Sequence, residues 1–289
     1  SAAAGINGLD GTESVAVDGT QYWFFGDTVR EGAQRQDVIP ATVATTADTE
    51  AGDCLDLNFK TAAAGAEPLF PRGDETTAWP DGVLALDDGS ILFYIVKAYR
   101  TSPFYWYVGS IGLGRIPPGS LEGERIVETI WDEHGGLGGR LAGVRSPVRV
   151  GDDVVVYIRM EDGRKLAAKA PLARIAEPGA YQYFDGSGWT PDPAKAAPIW
   201  TTPATGFPSD NGVHVTYDEQ HERWIALYNE DMAFVSVRTA PEPWGPWSDA
   251  VRWFDCRPLV QDRYPYCYTA QLHPQLARDY GEARRVQAF

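Results

Sequence analysis

Short apolar runs separated by acidic turns recur along the chain. Ser14-Val15-Ala16-Val17 leads through Asp18-Gly19 into Thr20-Gln21-Tyr22-Trp23-Phe24-Phe25. An Asp-Gly step between two such runs predicts a two-residue type I′ hairpin, whose central residues must both take positive φ. The design returns four times. Val83–Leu86 runs through Asp87-Asp88-Gly89 into Ile91–Tyr94, and Pro147–Val150 through Gly151-Asp152-Asp153 into Val154–Tyr157. Val213–Tyr217 runs through Asp218-Glu219 into Trp224–Tyr228. A degenerate copy runs from Leu272–Leu276 around Asp279-Tyr280-Gly281 into Arg285–Phe289.

The turn anchors Asp18, Asp87, Asp152, Asp218 and Asp279 are separated by 69, 65, 66 and 61 residues. Each period has room for a four-stranded sheet. Five copies at near-constant spacing predict an all-β fold, a five-bladed β-propeller with residues 1–289 as one domain. A β-sandwich is the alternative, but it gives no reason for equal spacing. No amphipathic helix of ten residues or more is visible.

Composition fits this picture. Gly 30 and Pro 21 supply turns, and 10 Trp, 14 Tyr and 11 Phe favour strands. Hydrophobic residues make up 44% of the 289, enough for a large core. The longest apolar run, Ile91–Val96, is strand length and falls well short of the roughly 18 residues that span a bilayer. Forty acidic against 25 basic residues give a net charge of −15. Nucleic acid and anionic membranes both require a basic footprint, so neither is an expected partner. Cys256 and Cys267 lie 11 apart and would leave Cys54 alone if they paired; spacing leaves that open. No CxxC pair or HExxH spacing is present, and neither a cofactor nor a metal in the site is expected; clustered Asp residues could hold a structural Ca²⁺, though no EF-hand-like loop is present. The opening Ser1-Ala2-Ala3-Ala4, without Met, reads as a trimmed mature terminus or the edge of an expressed fragment.

In a propeller the first strand of each blade lines the central channel. The residue eight before each turn anchor should then lie near one mouth: Asp10, Trp79, Val144, Asp210 and Gln271. A slip of one or two residues adds Arg145 and His273, and Tyr268 flanks the last position. Trp79, Arg145, Asp210, Tyr268 and His273 are therefore the expected substrate contacts. The first hairpin gives a sharper inference. With Asp18-Gly19 as its turn, facing residues sum to 37, so Val17 faces Thr20 and Asp10 faces Asp27. Facing carboxylates raise one pKa, and a protonated acid beside an ionised carboxylate is what glycoside hydrolysis requires. Asp10 and Asp27 are accordingly the catalytic candidates. So close a pair favours retention of configuration, with Asp210 the longer-range partner if the reaction inverts. The alternative is two strand-end caps facing solvent.

The same residues carry a family resemblance. Asp10-Gly11 with Ser14, followed by Phe24-Phe25-Gly26-Asp27-Thr28, resembles the opening motif of a bacterial and phage propeller family defined through a domain of unknown function. Further matching elements are Ala180-Tyr181-Gln182-Tyr183-Phe184-Asp185-Gly186 with Trp189, Arg238-Thr239-Ala240 with Trp244-Gly245-Pro246-Trp247-Ser248, and Leu272-His273-Pro274. That family includes endo-D-arabinanases, glycoside hydrolases that cut the D-arabinan of mycobacterial arabinogalactan and lipoarabinomannan. The resemblance implies a five-bladed propeller, internal cleavage of a furanose polymer, and paired acidic catalysts that map onto Asp10 and Asp27.

The leading expectation is a secreted endo-D-arabinanase whose partner is its polysaccharide substrate. A non-catalytic carbohydrate-binding propeller, with Asp10 and Asp27 as hydroxyl ligands, is the runner-up. A protein-interaction propeller with a purely structural channel is the third.

Overall fold

A computed structural model describes residues 5–31, 38–49, 54–62, 65–102, 105–203, 212–230, 233–257, 269–276, 278–280 and 283–285. The chain forms two compact units. One comprises Ser1–Tyr107, Ile111–Glu128 and His273–Gln287; the other comprises Val108–Ser110, Thr129–Leu272 and Ala288–Phe289. Among the described residues the regular structure is antiparallel strand, with short 3-10 turns between.

The chain opens with β1 (Ile6–Leu9), β2 (Thr12–Val17), β3 (Thr20–Phe25), β4 (Thr28–Arg30), β5 (Val38–Ile39), β6 (Thr42–Thr46) and β7 (Asn58–Phe59). Strands β2-β3-β6-β7 form a four-stranded sheet, and β1-β4-β5 a three-stranded one. A small ladder, β8 (Thr61–Ala62) with β9 (Gly65–Ala66), precedes the four-stranded sheet β10 (Thr77–Ala85), β11 (Ile91–Ser102), β12 (Tyr105–Ile116) and β13 (Glu124–Asp132). The next sheet has six strands: β14 (Leu141–Val150), β15 (Asp153–Met160), β16 (Arg164–Pro171), β17 (Gln182–Phe184) and β18 (Trp189–Thr190) in order, with β19 (Trp200–Thr201) beside β16. Strands β20 (Val213–Asp218), β21 (Arg223–Asn229), β22 (Phe234–Ala240) and β23 (Val251–Asp255) make another four-stranded sheet, and β24 (Arg278–Tyr280) pairs with β25 (Ala283–Arg285).

The turn chemistry explains the hairpins. Asp18 and Gly19 take φ of 48° and 80°, so Val17 pairs with Thr20 as a type I′ turn demands. Gly151-Asp152 joins Val150 to Asp153, and Asp218 closes on Arg223. Successive residues of β3 point to opposite faces, and both faces are apolar. Tyr22 and Phe24 join a core with Val43, Leu69, Ile91 and Phe93, while Trp23 and Phe25 join Ala44, Phe59 and Leu276. A strand covered on both sides reads as a continuous hydrophobic run, as this one does.

The fifth period differs from its expectation. Leu272–Leu276 is not a strand: Pro274–Leu276 forms a 3-10 turn, with Leu276 N–H donating to His273 O at 2.9 Å. Proline offers no N–H to a ladder, which breaks the pattern there. Asp279 lies inside β24, paired with Arg284, rather than at the turn. Residues 286–289 of the expected closing strand lie outside the described residues.

Candidate active site

The facing-residue sum of 37 holds along β2 and β3 from Val17↔Thr20 to Thr12↔Phe25. It resumes in the β1–β4 ladder at Leu9↔Thr28 and Gly8↔Val29. Between the two ladders lies a symmetric break made of Asp10, Gly11, Gly26 and Asp27. Gly11 takes φ of +55°, which turns the chain out of the pleat. Gly26 N–H then donates to Asp10 O at 2.7 Å, replacing the regular ladder bonds. Asp10 and Asp27 are therefore not a laddered cross-strand pair, contrary to the expectation from register. They occupy the two sides of one interruption.

Asp27 is partly buried and held from β10. Trp79 Nε1 donates to its Oδ1 at 2.9 Å, and Thr77 Oγ1 to the same oxygen at 3.4 Å. Thr77 and Trp79 are two apart on a strand, so both side chains leave the same face. Strand β10 is fixed against β2 by Glu13, whose buried Oε2 accepts the Val83 N–H at 3.0 Å beside a bulge between Asp81 and Val83. The indole of Trp79 needs Gly26 to be glycine: a Cβ there would lie 3.2 Å from Trp79 Cδ1 and 3.2 Å from Asp10 O.

Burial raises the Asp27 pKa above the ordinary carboxylate range. The Trp79 hydrogen bond opposes that rise, the negative charge of Asp10 adds to it, and the Thr77 bond opposes it more weakly. The net effect is a carboxyl group that keeps its proton to higher pH beside a second carboxylate. A carboxyl group that keeps its proton to higher pH is able to donate it.

The remaining expected residues fall in different places. Trp79 is at Asp27, as described. His273 is buried at 1% exposure, its Nδ1 2.5 Å from Ser14 Oγ and its ring 4.6 Å from that of Trp23. Gln275 also hydrogen-bonds Ser14 Oγ. Arg145 belongs to the other unit; it is buried in β14 opposite Tyr157, next to a register shift and to Ser146 at φ +50°. Val144 and Gln271 are buried there too, with Gln271 Oε1 2.7 Å from His214 Nδ1. Asp210 and Tyr268 lie outside the described residues. Cys256 is disulfide-bonded and Cys54 is free and exposed, while Cys267 lies outside the described residues.

Sequence reasoning missed Thr77, Gly26 and Trp106 as parts of this site. Thr77 was legible from its i, i+2 relation to Trp79. Gly26 stood inside the matched motif without an assigned role. Trp106, whose ring lies 6.3 Å from that of Trp79, sits in the aromatic run Tyr105-Trp106-Tyr107, outside every repeat anchor.

Residues 124–285 match the model of a family described as a domain of unknown function, DUF4185. Among curated protein sequences none matches the chain significantly. A candidate hydrolase from Bacteroides ovatus is similar in structure, with TM-score 0.67 and 14% identity over 96% of this chain and 78% of that one. A family 117 glycoside hydrolase of Zobellia galactanivorans gives TM-score 0.54 and 14% identity over 87% and 72%. The catalytic domain of a GH62 α-L-arabinofuranosidase from Coprinopsis cinerea gives 0.50 and 12% over 84% and 68%. The glycoside hydrolases among these are β-propellers, so the all-β fold of this chain is propeller-like.

Proposed function

The chain belongs to the DUF4185 family, and on that premise we propose that it is a glycoside hydrolase cleaving D-arabinan internally, with Asp27 as general acid and Asp10 as its partner carboxylate. The observation that carries the reading is the state of Asp27: partly buried, raised in pKa, anchored by Trp79 and Thr77, and beside the charge of Asp10. Asp27 protonates the leaving glycosidic oxygen. Asp10 attacks the anomeric carbon or activates water, and either course supports the positive charge of an oxocarbenium-like transition state. The fold likeness to glycoside hydrolases supports the glycan as substrate class. The Asp10-Gly11 and Phe24–Thr28 motifs support D-arabinan in particular. Four sheets of four or more strands, succeeding one another along the chain, and the β24–β25 hairpin support five blades. The disulfide at Cys256 supports a secreted protein, since disulfides persist in oxidising compartments.

The test is incubation with purified mycobacterial arabinogalactan, followed by oligosaccharide analysis. Endo-cleavage releases fragments of several lengths from the earliest time points. Asp27→Asn and Asp10→Asn should each cut turnover by about 10²–10⁴-fold while leaving the fold intact. Near wild-type turnover in either variant removes that residue from the mechanism. NMR of the first-formed anomer then separates double displacement, which retains configuration, from water attack, which inverts it.

A further inference from the structure

We infer that Trp106 is a sugar-stacking platform forming a subsite beside Asp27, with its indole held in place by Arg100 and Trp79; the inference rests on the glycoside-hydrolase reading above. Thr77 faces Ala98 and Trp79 faces Val96 across β10 and β11. Facing residues of an antiparallel pair project to the same side. Arg100, two residues beyond Ala98, projects to that side as well. Asp27 meets the sheet on this side, through Thr77 and Trp79. Trp106 joins them, its ring tilted 54° to Trp79 at 6.3 Å and the Arg100 guanidinium 5.3 Å above it. The opposite side of β11 carries different contacts. Tyr99 stacks on Tyr107 at 5.7 Å, and Lys97 pairs with Glu128 at 3.0 Å. The alternation therefore assigns Trp106 to the Asp27 face.

Strand lengths make that face accessible. β10 begins at Thr77, whereas β11 continues to Ser102 and β12 starts at Tyr105. The β11–β12 strands overhang the start of β10, tied by Arg100 N–H to Thr76 Oγ1 at 3.0 Å. Trp106 lies in this overhang and is only half-buried. Core tryptophans of this chain are not: Trp23, Trp131 and Trp200 are exposed by 5%, 3% and 6%. A partly open indole against Trp79, the residue that anchors Asp27, with a cation over its ring, matches the aromatic wall and few polar groups of a ligand site. An indole plane accepts the C–H face of a sugar ring. The ligand class is thus the ring of a neutral glycan, seated next to the bond that Asp27 protonates.

The experiment compares wild type, Trp106→Ala, Trp106→Phe and Arg100→Gln, first for binding of D-arabinan by affinity electrophoresis in the Asp27→Asn background, then for hydrolysis with Asp27 intact. Thermal unfolding confirms that each variant is folded. Trp106→Ala should weaken binding about tenfold, the loss of roughly 1.4 kcal/mol, and raise KM with a smaller change in kcat. Trp106→Phe should keep most of the affinity, and Arg100→Gln should fall between. Unchanged binding in folded Trp106→Ala, or no binding by the parent, overturns the subsite. Binding that depends on Trp106 without product release by the wild type upholds the subsite and overturns the catalytic reading instead.

Discussion

Asp27 combines a stabilising anchor with an electrostatic cost. Its folded pKa is raised, so the folded state binds its proton more tightly than the unfolded chain does. Stability from this group is then fully present below the ordinary Asp range and is lost as pH rises through the raised value. Asp27→Asn keeps an oxygen for the Trp79 N–H but cannot ionise. The variant should therefore be more stable than wild type at neutral pH, with the difference closing as pH falls below the ordinary Asp range. The gain appears as a higher Tm for the variant at neutral pH. Paired thermal scans across pH check this, and a difference independent of pH refutes the assignment of the shift. The activity limb has the same origin: a general acid must be protonated, so kcat should decline as pH rises through the Asp27 pKa. Stability and activity moving in opposite directions on one substitution is the pattern of a strained functional group.

Elements hold that residue in place, and Glu13 is the joint between two of them. Its buried carboxylate takes the Val83 N–H, fixing β10, and with it Trp79, against β2. Removing the acceptor leaves a buried N–H without its bond, a loss of about 1–3 kcal/mol. Glu13→Ala should lower stability by that amount in denaturant titration and also reduce turnover, while Glu13→Gln, which keeps an acceptor, recovers most of both. Much at this scale was legible in the sequence. Asp18-Gly19 fixes its hairpin locally, and a two-residue turn sets register for the whole ladder, so the relation between residues 10 and 27 could be read from one dipeptide. The break at Asp10 and Asp27 was not legible, because it depends on the positive φ of Gly11, which glycine permits but does not require. The contact of Trp79 with Asp27 spans 52 residues and is set by packing of β10 on β2. Equal spacing pointed to Trp79 without naming its partner. His273 shows the limit of the same logic: the spacing that selected it carries no information on burial, and it packs beneath Trp23. In the fifth period, Pro274 outweighs the apolar pattern around it.

The whole chain carries −15 charges, and this bears on which polymer can approach. A negative surface repels anionic glycans over about a Debye length, roughly 30 Å at 0.01 M salt and 3 Å at 1 M. A neutral furanose polymer meets no such barrier, and its recognition by an aromatic plane and carboxylate hydrogen bonds is short-ranged. The two substrate classes should therefore separate by salt alone. Initial rates on D-arabinan should change less than about twofold across that salt range, whereas any cleavage or binding of a uronate- or phosphate-bearing polymer should rise as salt screens the repulsion. Rates measured over a salt series, on the neutral polymer and on an anionic one of similar length, decide between them. A steep fall in D-arabinan turnover with added salt would mean that long-range attraction drives association. A chain of this charge supplies no such attraction to a neutral polymer, so that result would overturn the short-ranged recognition argued here.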